Sequence, residues 1–131
     1  MRTDPVRLAA VAVGGAIGTW ARWGIGATWP VRPDRFPVTT LSVNVAGAFL
    51  LGLVLVALLD RRPARPLAHA LVGTGALGAF TTFSTMAVEA VTLVHLDRFW
   101  TAGAYLAVSL VLGALAMTAG LAVGRRVWAG S

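Results

Sequence analysis

The sequence predicts an all-α membrane protein of four transmembrane helices, the third of them broken near the midplane. Three observations predict it. Of the 131 residues, 57% are hydrophobic and only 12% charged, with a mean hydropathy of +0.78, too apolar for an ordinary soluble domain of this size. The apolar residues gather into four runs, each reaching the roughly 20 residues that cross a bilayer core of about 30 Å. The third run contains a glycine- and threonine-rich stretch, Gly73 to Ser84, that is poorly written for continuous helix.

The spans are expected at about residues 6–29, 38–59, 67–94 and 99–124, filling a single domain over residues 1–131. The second and fourth contain no charged residue. Arg22 stands toward the far end of the first span and Glu89 toward the far end of the third. The first span is expected to be retained, because Arg22-Trp23 follows the N-terminal apolar run where a cleaved signal would have small residues. The connectors carry breakers: Pro30, Pro33 and Pro37, then Asp60 to Pro66, then His95 to Arg98. Trp20, Trp23, Trp29, Trp100 and Trp128 fall near span ends, where amphipathic rings settle at headgroup level.

Composition also excludes functions. With no cysteine there is neither a disulfide framework nor a thiolate metal site, and His69 and His95 are too far apart to form a local ligand pair. No nucleophile, base and acid constellation appears, so an enzyme is not expected. The net charge of +6 comes from arginines in connectors, at termini or near span ends, which fits membrane lipid and topology and not nucleic acid. With four spans, Arg2, Arg7, Arg61, Arg62, Arg65, Arg125 and Arg126 share one side; Arg32, Arg35 and Arg98 lie opposite, with Arg22 if it snorkels that way. The excess favours both termini on the cytoplasmic side of the cell membrane. Gly14 with Gly18, and Gly120 with Gly124, are spaced for close helix packing, and four helices bury little surface alone, so an oligomer is expected.

Candidate functional residues lie inside the spans. Non-helical backbone at membrane depth is tolerated only when buried in protein or lining a watery cavity, and broken helices offer carbonyls to cations and amides to anions. Glycines can also sit in unbroken helix, with hydroxyls bonding to the preceding turn. Asn44 is the strongly polar side chain of the second span; its amide can donate to an anion or hold a neighbouring helix. Tyr105, Ser109 and Gly113, four residues apart, form a thin polar stripe on the fourth span. Arg22 and Glu89 sit where ionisable groups are costly, and snorkelling is the competing account for both.

Together, four segments resemble the Fluc (CrcB) family of fluoride channels over nearly the whole chain: Gly14 to Trp23, Val43-Asn44-Val45-Ala46-Gly47, Gly78-Ala79-Phe80-Thr81-Thr82-Phe83-Ser84-Thr85, and Tyr105 with Ser109. The resemblance implies passive export of fluoride across the plasma membrane, through two pores in an antiparallel, dual-topology dimer with a central structural sodium ion. It implies that the carbonyls of Gly78 and Thr81 hold the sodium at the dimer axis. Asn44 faces the pore, Phe83 offers an aromatic edge, Thr82 and Ser84 supply hydroxyls, and Tyr105 and Ser109 form a polar track. Arg22 is then structural near a pore mouth, and Glu89 lies by a vestibule.

The chain departs from the family pattern at Met86, where a second phenylalanine is common; a thioether has no positive ring edge. Its arginine asymmetry also differs from the even distribution expected of a dual-topology homodimer. Both departures raise a heterodimer with an oppositely oriented homologue as the alternative to a homodimer. A small multidrug-type, proton-coupled exporter needs a membrane-embedded carboxylate, for which Glu89 is the candidate. A non-conducting assembly subunit would use the same polar and small residues for packing alone.

Overall fold

The computed structural model describes residues 4–59 and 66–128, and among them all regular structure is helical. Helix α1 spans Pro5–Thr28. The Asp4 side chain accepts the Val6 N–H at 3.0 Å at its start, and Pro5 occupies a position where no backbone donor is needed. Helix α2 spans Val38–Leu59. The third span comprises α3, residues 66–80, and α4, Phe83–His95; α5 is the long helix Phe99–Trp128. Four segments, one of them the whole third span, are long and apolar enough to cross a membrane. Arg2, Arg61, Arg62 and Arg65, which weigh in the charge asymmetry, lie outside the described residues.

The turn from α4 to α5 has a defined cause. Arg98 N–H bonds to the Leu93 carbonyl at 2.8 Å and Asp97 N–H to the Val94 carbonyl at 3.0 Å, closing α4 in a Schellman arrangement. Asp97 takes the left-handed conformation (φ 58°) that this requires, a place usually held by glycine and tolerated by aspartate. The next span therefore starts at once. Arg125 and Arg126 fall in the last turn of α5, where cations complement the helix dipole.

Backbone contact between spans is set by glycine. A β-carbon on Gly14 would overlap the Leu71 carbonyl, and one on Gly18 the Ala76 carbonyl, so α1 lies directly against α3. Likewise Gly120 faces the Phe49 carbonyl and Gly52 the Met117 carbonyl, joining α2 to α5. In lipid, where apolar surface gains little by leaving its surroundings, such close approach supplies much of the association. The glycine pairs seen in sequence are thus spent within the subunit.

The third span changes partner along its length. Its first half packs on α1 and its second half on α5. The interruption between them is shorter than composition predicts. His69–Leu77 stays helical in a π ladder, Gly78–Phe80 returns to α-helix, and only Thr81 (φ −75°, ψ 154°) and Thr82 (φ −146°, ψ 114°) are extended. The glycines are tolerated because Gly75 meets the Val11 carbonyl and Gly14 backbone of α1, so packing compensates for their low helix propensity. Beyond the break, Met86, Ala90 and Leu93 of α4 bury against Ala102 and Tyr105 of α5, with Phe36 and Leu41 packed on them.

Candidate ion pathway at the broken helix

A break at membrane depth frees backbone groups, and each must find a partner or a ligand. Asn44 of α2 bridges it: Oδ1 accepts the Thr82 N–H at 2.7 Å, and Nδ2 donates to the Thr82 carbonyl at 3.0 Å. One Nδ2 proton remains for another acceptor. Arg22 of α1 donates from Nε to the Ala79 carbonyl at 3.1 Å, placing a cation at the carbonyl end of α3. Its half-buried position and this bond make it a brace for the break and not simply a snorkelling charge. The Thr81 hydroxyl folds back onto the Leu77 carbonyl at 3.1 Å.

Among the described residues, the break leaves carbonyls short of partners, those of Gly78 and Thr81 among them. In a continuous helix Gly78 would accept from the Thr82 N–H, which Asn44 has taken; among the described residues the Thr81 hydroxyl is the donor that approaches it, at 3.5 Å. Thr81, being extended, turns its own carbonyl out of the helical ladder. These are oxygen donors of the kind that an unwound helix presents to a sodium ion, so the residues present fit such an ion.

On the other side of the break, α4 begins with a hydroxyl cluster. Thr82 caps it, accepting the Thr85 N–H at 3.1 Å, donating to the Thr85 hydroxyl at 2.9 Å and lying 3.3 Å from the Ser84 hydroxyl. Phe83, in the first turn, is 76% exposed. It lines a cavity of about 460 Å³ with Asn44, Thr82, Met86 and Ser109. Met86 is only 6% exposed, so it contributes to this wall from within the core. Ser109 Oγ is buried with no hydrogen-bond partner, the one such side-chain atom among the described residues.

A second cavity, of about 360 Å³, is lined by Arg22, Thr39, Thr40, Thr85 and Glu89, and again by Thr82. Thr82 therefore belongs to both. Glu89 is held by two helices: the Thr40 hydroxyl donates to Oε1 at 2.7 Å and the Tyr105 phenol to Oε2 at 2.6 Å. Tyr105 is fully buried, and Phe36 packs edge-on against its ring at 5.4 Å. The expected polar track thus divides, with Tyr105 bonded to Glu89 and Ser109 in the wall of the cavity beside Phe83, its Oγ buried.

Sequence reasoning assigns Thr40 and Thr85 no role. Thr40 lies four residues before Asn44, hence on the same face of α2, and that spacing is the available signal. Thr85 stands at the third position after the capping Thr82, where an N-cap oxygen finds its amide.

Residues 9–121 match the family model described as CrcB-like protein, Camphor Resistance (CrcB). The chain belongs to the CrcB family. It is 43% identical over 124 residues to fluoride-specific ion channel FluC 1 of Mycobacterium bovis, covering 95% of this chain and 94% of that one. It is 45% identical over 119 residues to fluoride-specific ion channel FluC of Paracoccus denitrificans, covering 91% and 94%. Fluoride-specific ion channel FluC 2 of Streptomyces avermitilis is 46% identical over 103 residues, 79% of this chain and 65% of that one. As a CrcB protein with four spans, the chain is a multi-pass membrane protein.

Proposed function

We propose that this chain is the subunit of a fluoride-selective channel, and that the anion passes the broken third span between the two cavities that Thr82 joins. The observation that carries this reading is the buried Ser109 hydroxyl without a partner. Leaving such a group unpaired costs about 1–3 kcal/mol, and a strongly hydrated anion shedding water is the acceptor that accounts for it. The remaining Asn44 Nδ2 proton adds a donor along the way, and the Ser84 hydroxyl adds another when it turns from Thr82, whose own proton goes to Thr85. The Phe83 ring presents a positive edge and no fixed charge, which permits contact without trapping, as conduction requires.

In this reading the driving force is the membrane potential, about 2.3 kcal/mol per charge per 100 mV. Fluoride that has entered as neutral acid and dissociated is expelled passively, with no enzymatic step. The carbonyls of Gly78 and Thr81 hold a structural sodium ion where two antiparallel subunits meet, the ion supplying positive charge that keeps two broken spans facing each other. The two subunits enclose two pores. A proton-coupled exporter is disfavoured because Glu89 is occupied by Thr40 and Tyr105.

The partner is a second copy or an oppositely oriented homologue; the numbered names of the relatives, FluC 1 and FluC 2, favour retaining the second possibility. The test is efflux from potassium fluoride-loaded liposomes, read with a fluoride electrode and repeated with chloride, on the chain expressed alone. Rapid, fluoride-selective efflux from an antiparallel homodimer supports the reading with a self partner. Efflux only on co-expression with a homologue moves it to the heterodimer, and no efflux in either case overturns it.

A further inference from the structure

We propose that the corner between the α1–α2 connector and the start of α5 binds the phosphate headgroup of an anionic phospholipid. A cavity of about 680 Å³ there is lined by Asp34, Arg35, Phe36, Arg98, Trp100 and Thr101. Its carboxylate is already engaged, since Asp34 Oδ1 lies 3.5 Å from Arg32 Nε. Neither Arg35 nor Arg98 has a carboxylate within ion-pair distance among the described residues. Two arginines without counterions therefore share one cavity.

The backbone fixes both. Arg35 N–H bonds to the Arg32 carbonyl at 3.0 Å in the connector, and Arg98 is held by its bond to Leu93 in the turn that starts α5. Guanidinium groups match phosphate oxygens with paired, charge-assisted hydrogen bonds, so two of them suit a phosphate diester better than a point-charge anion. Depth points to lipid as the source of that phosphate. Arg98 directly precedes the apolar run of α5, and Trp100, 93% exposed, marks headgroup level. Below the arginines, Ala104, Val108 and Leu112 follow at four-residue spacing on one face of α5, all with exposed surface. That strip would lie along an acyl chain, which free phosphate lacks.

The experiment uses the full chain purified in detergent in its assembled form. Its thermal unfolding midpoint and native mass spectrum are followed during titration with phosphatidylglycerol, phosphatidylcholine or inorganic phosphate. Phosphatidylglycerol is expected to raise the midpoint and remain bound where phosphatidylcholine does not. The double variant Arg35→Gln/Arg98→Gln is expected to bind it roughly 25-fold more weakly, at about fivefold per arginine. Arg125→Gln/Arg126→Gln, at the opposite membrane face, keeps the effect. Equal binding of both lipids by the unaltered chain overturns the proposal without any variant, as does undiminished binding by a folded Arg35→Gln/Arg98→Gln protein. An equal shift with millimolar inorganic phosphate makes the site one for the free anion and overturns the lipid assignment.

Discussion

The Tyr105 phenol donates to Glu89 Oε2 at 2.6 Å while the Thr40 hydroxyl reaches Oε1 at 2.7 Å, so one carboxylate ties together three helices, α2, α4 and α5. A group spent this way positions others and does not itself offer a proton to a passing anion. Tyr105→Phe is accordingly expected to lower stability by about 1–2 kcal/mol, the upper range for a hydrogen bond between membrane helices, while fluoride efflux persists. The thermal midpoint and the fluoride electrode read the two effects separately. Loss of efflux without loss of stability would return Tyr105 to the pore.

Ser109→Ala should behave in the opposite way. Its hydroxyl is buried and unpaired, so removing it leaves stability unchanged or slightly improved, because no bond is lost and a desolvated polar group disappears. Efflux should fall by about tenfold if the hydroxyl replaces one water of the ion, at about 1.4 kcal/mol per tenfold. A midpoint that drops with unchanged efflux would make Ser109 a packing residue.

The division between these neighbours on α5 marks how far sequence reasoning reaches. Four-residue spacing places Tyr105 and Ser109 on one face, but Glu89 comes from another helix, and no local pattern says that its carboxylate arrives at the phenol first. The four spans were legible because bilayer thickness dictates a run length that Val38–Leu59 and Phe99–Trp128 satisfy plainly. Low helix propensity marked the third span as the one that breaks, yet overstated the break. Propensity cannot register that Gly14, Gly18 and Gly75 let α1 and α3 touch backbone to backbone, which keeps the glycine half helical. The pairing of Asn44 with both backbone groups of Thr82 was out of reach for the same reason: it joins positions 38 residues apart.

Asn44→Asp provides a sharp test of that pairing. The carboxylate keeps an acceptor for the Thr82 N–H but loses the donor to the Thr82 carbonyl and places negative charge beside the cavity. Efflux is expected to be abolished while the protein keeps its assembled state in size-exclusion chromatography. Asn44→Leu loses both bonds, at about 0.5–1.5 kcal/mol each, and should lower the midpoint as well. Normal efflux from Asn44→Asp would remove Asn44 from the anion's path.

Sodium can be tested by exchange, since backbone carbonyls offer no side chain to mutate. Replacing sodium with N-methylglucamine throughout purification should lower the thermal midpoint and promote subunit dissociation, because a ligand bound only by the assembled state stabilises it by mass action. Restoring sodium should reverse both changes, and potassium, which is larger, should restore them less. Indifference of midpoint and assembly to the cation would refute the role given to Gly78 and Thr81.

The close approach of α1 to α3 yields the remaining prediction. At Gly18 a β-carbon would overlap the Ala76 carbonyl, and backbone on both sides leaves nothing flexible to move aside, whereas a methyl at Gly24, on the same helix, would meet no atom within 4 Å. Gly18→Ala should therefore force the helices apart and cost about 1–3 kcal/mol, the range for overpacking. Gly24→Ala should be neutral or stabilising, by up to about 1 kcal/mol, through improved helix propensity. Separation of α1 from α3 would also draw Arg22 from the Ala79 carbonyl, so Gly18→Ala should reduce efflux from a site it never touches, and Arg22→Gln should reproduce the conduction defect without altering the packing of α1 on α3. Equal midpoints and equal efflux for Gly18→Ala and Gly24→Ala would mean that the span pair tolerates separation and that the brace at Ala79 is dispensable.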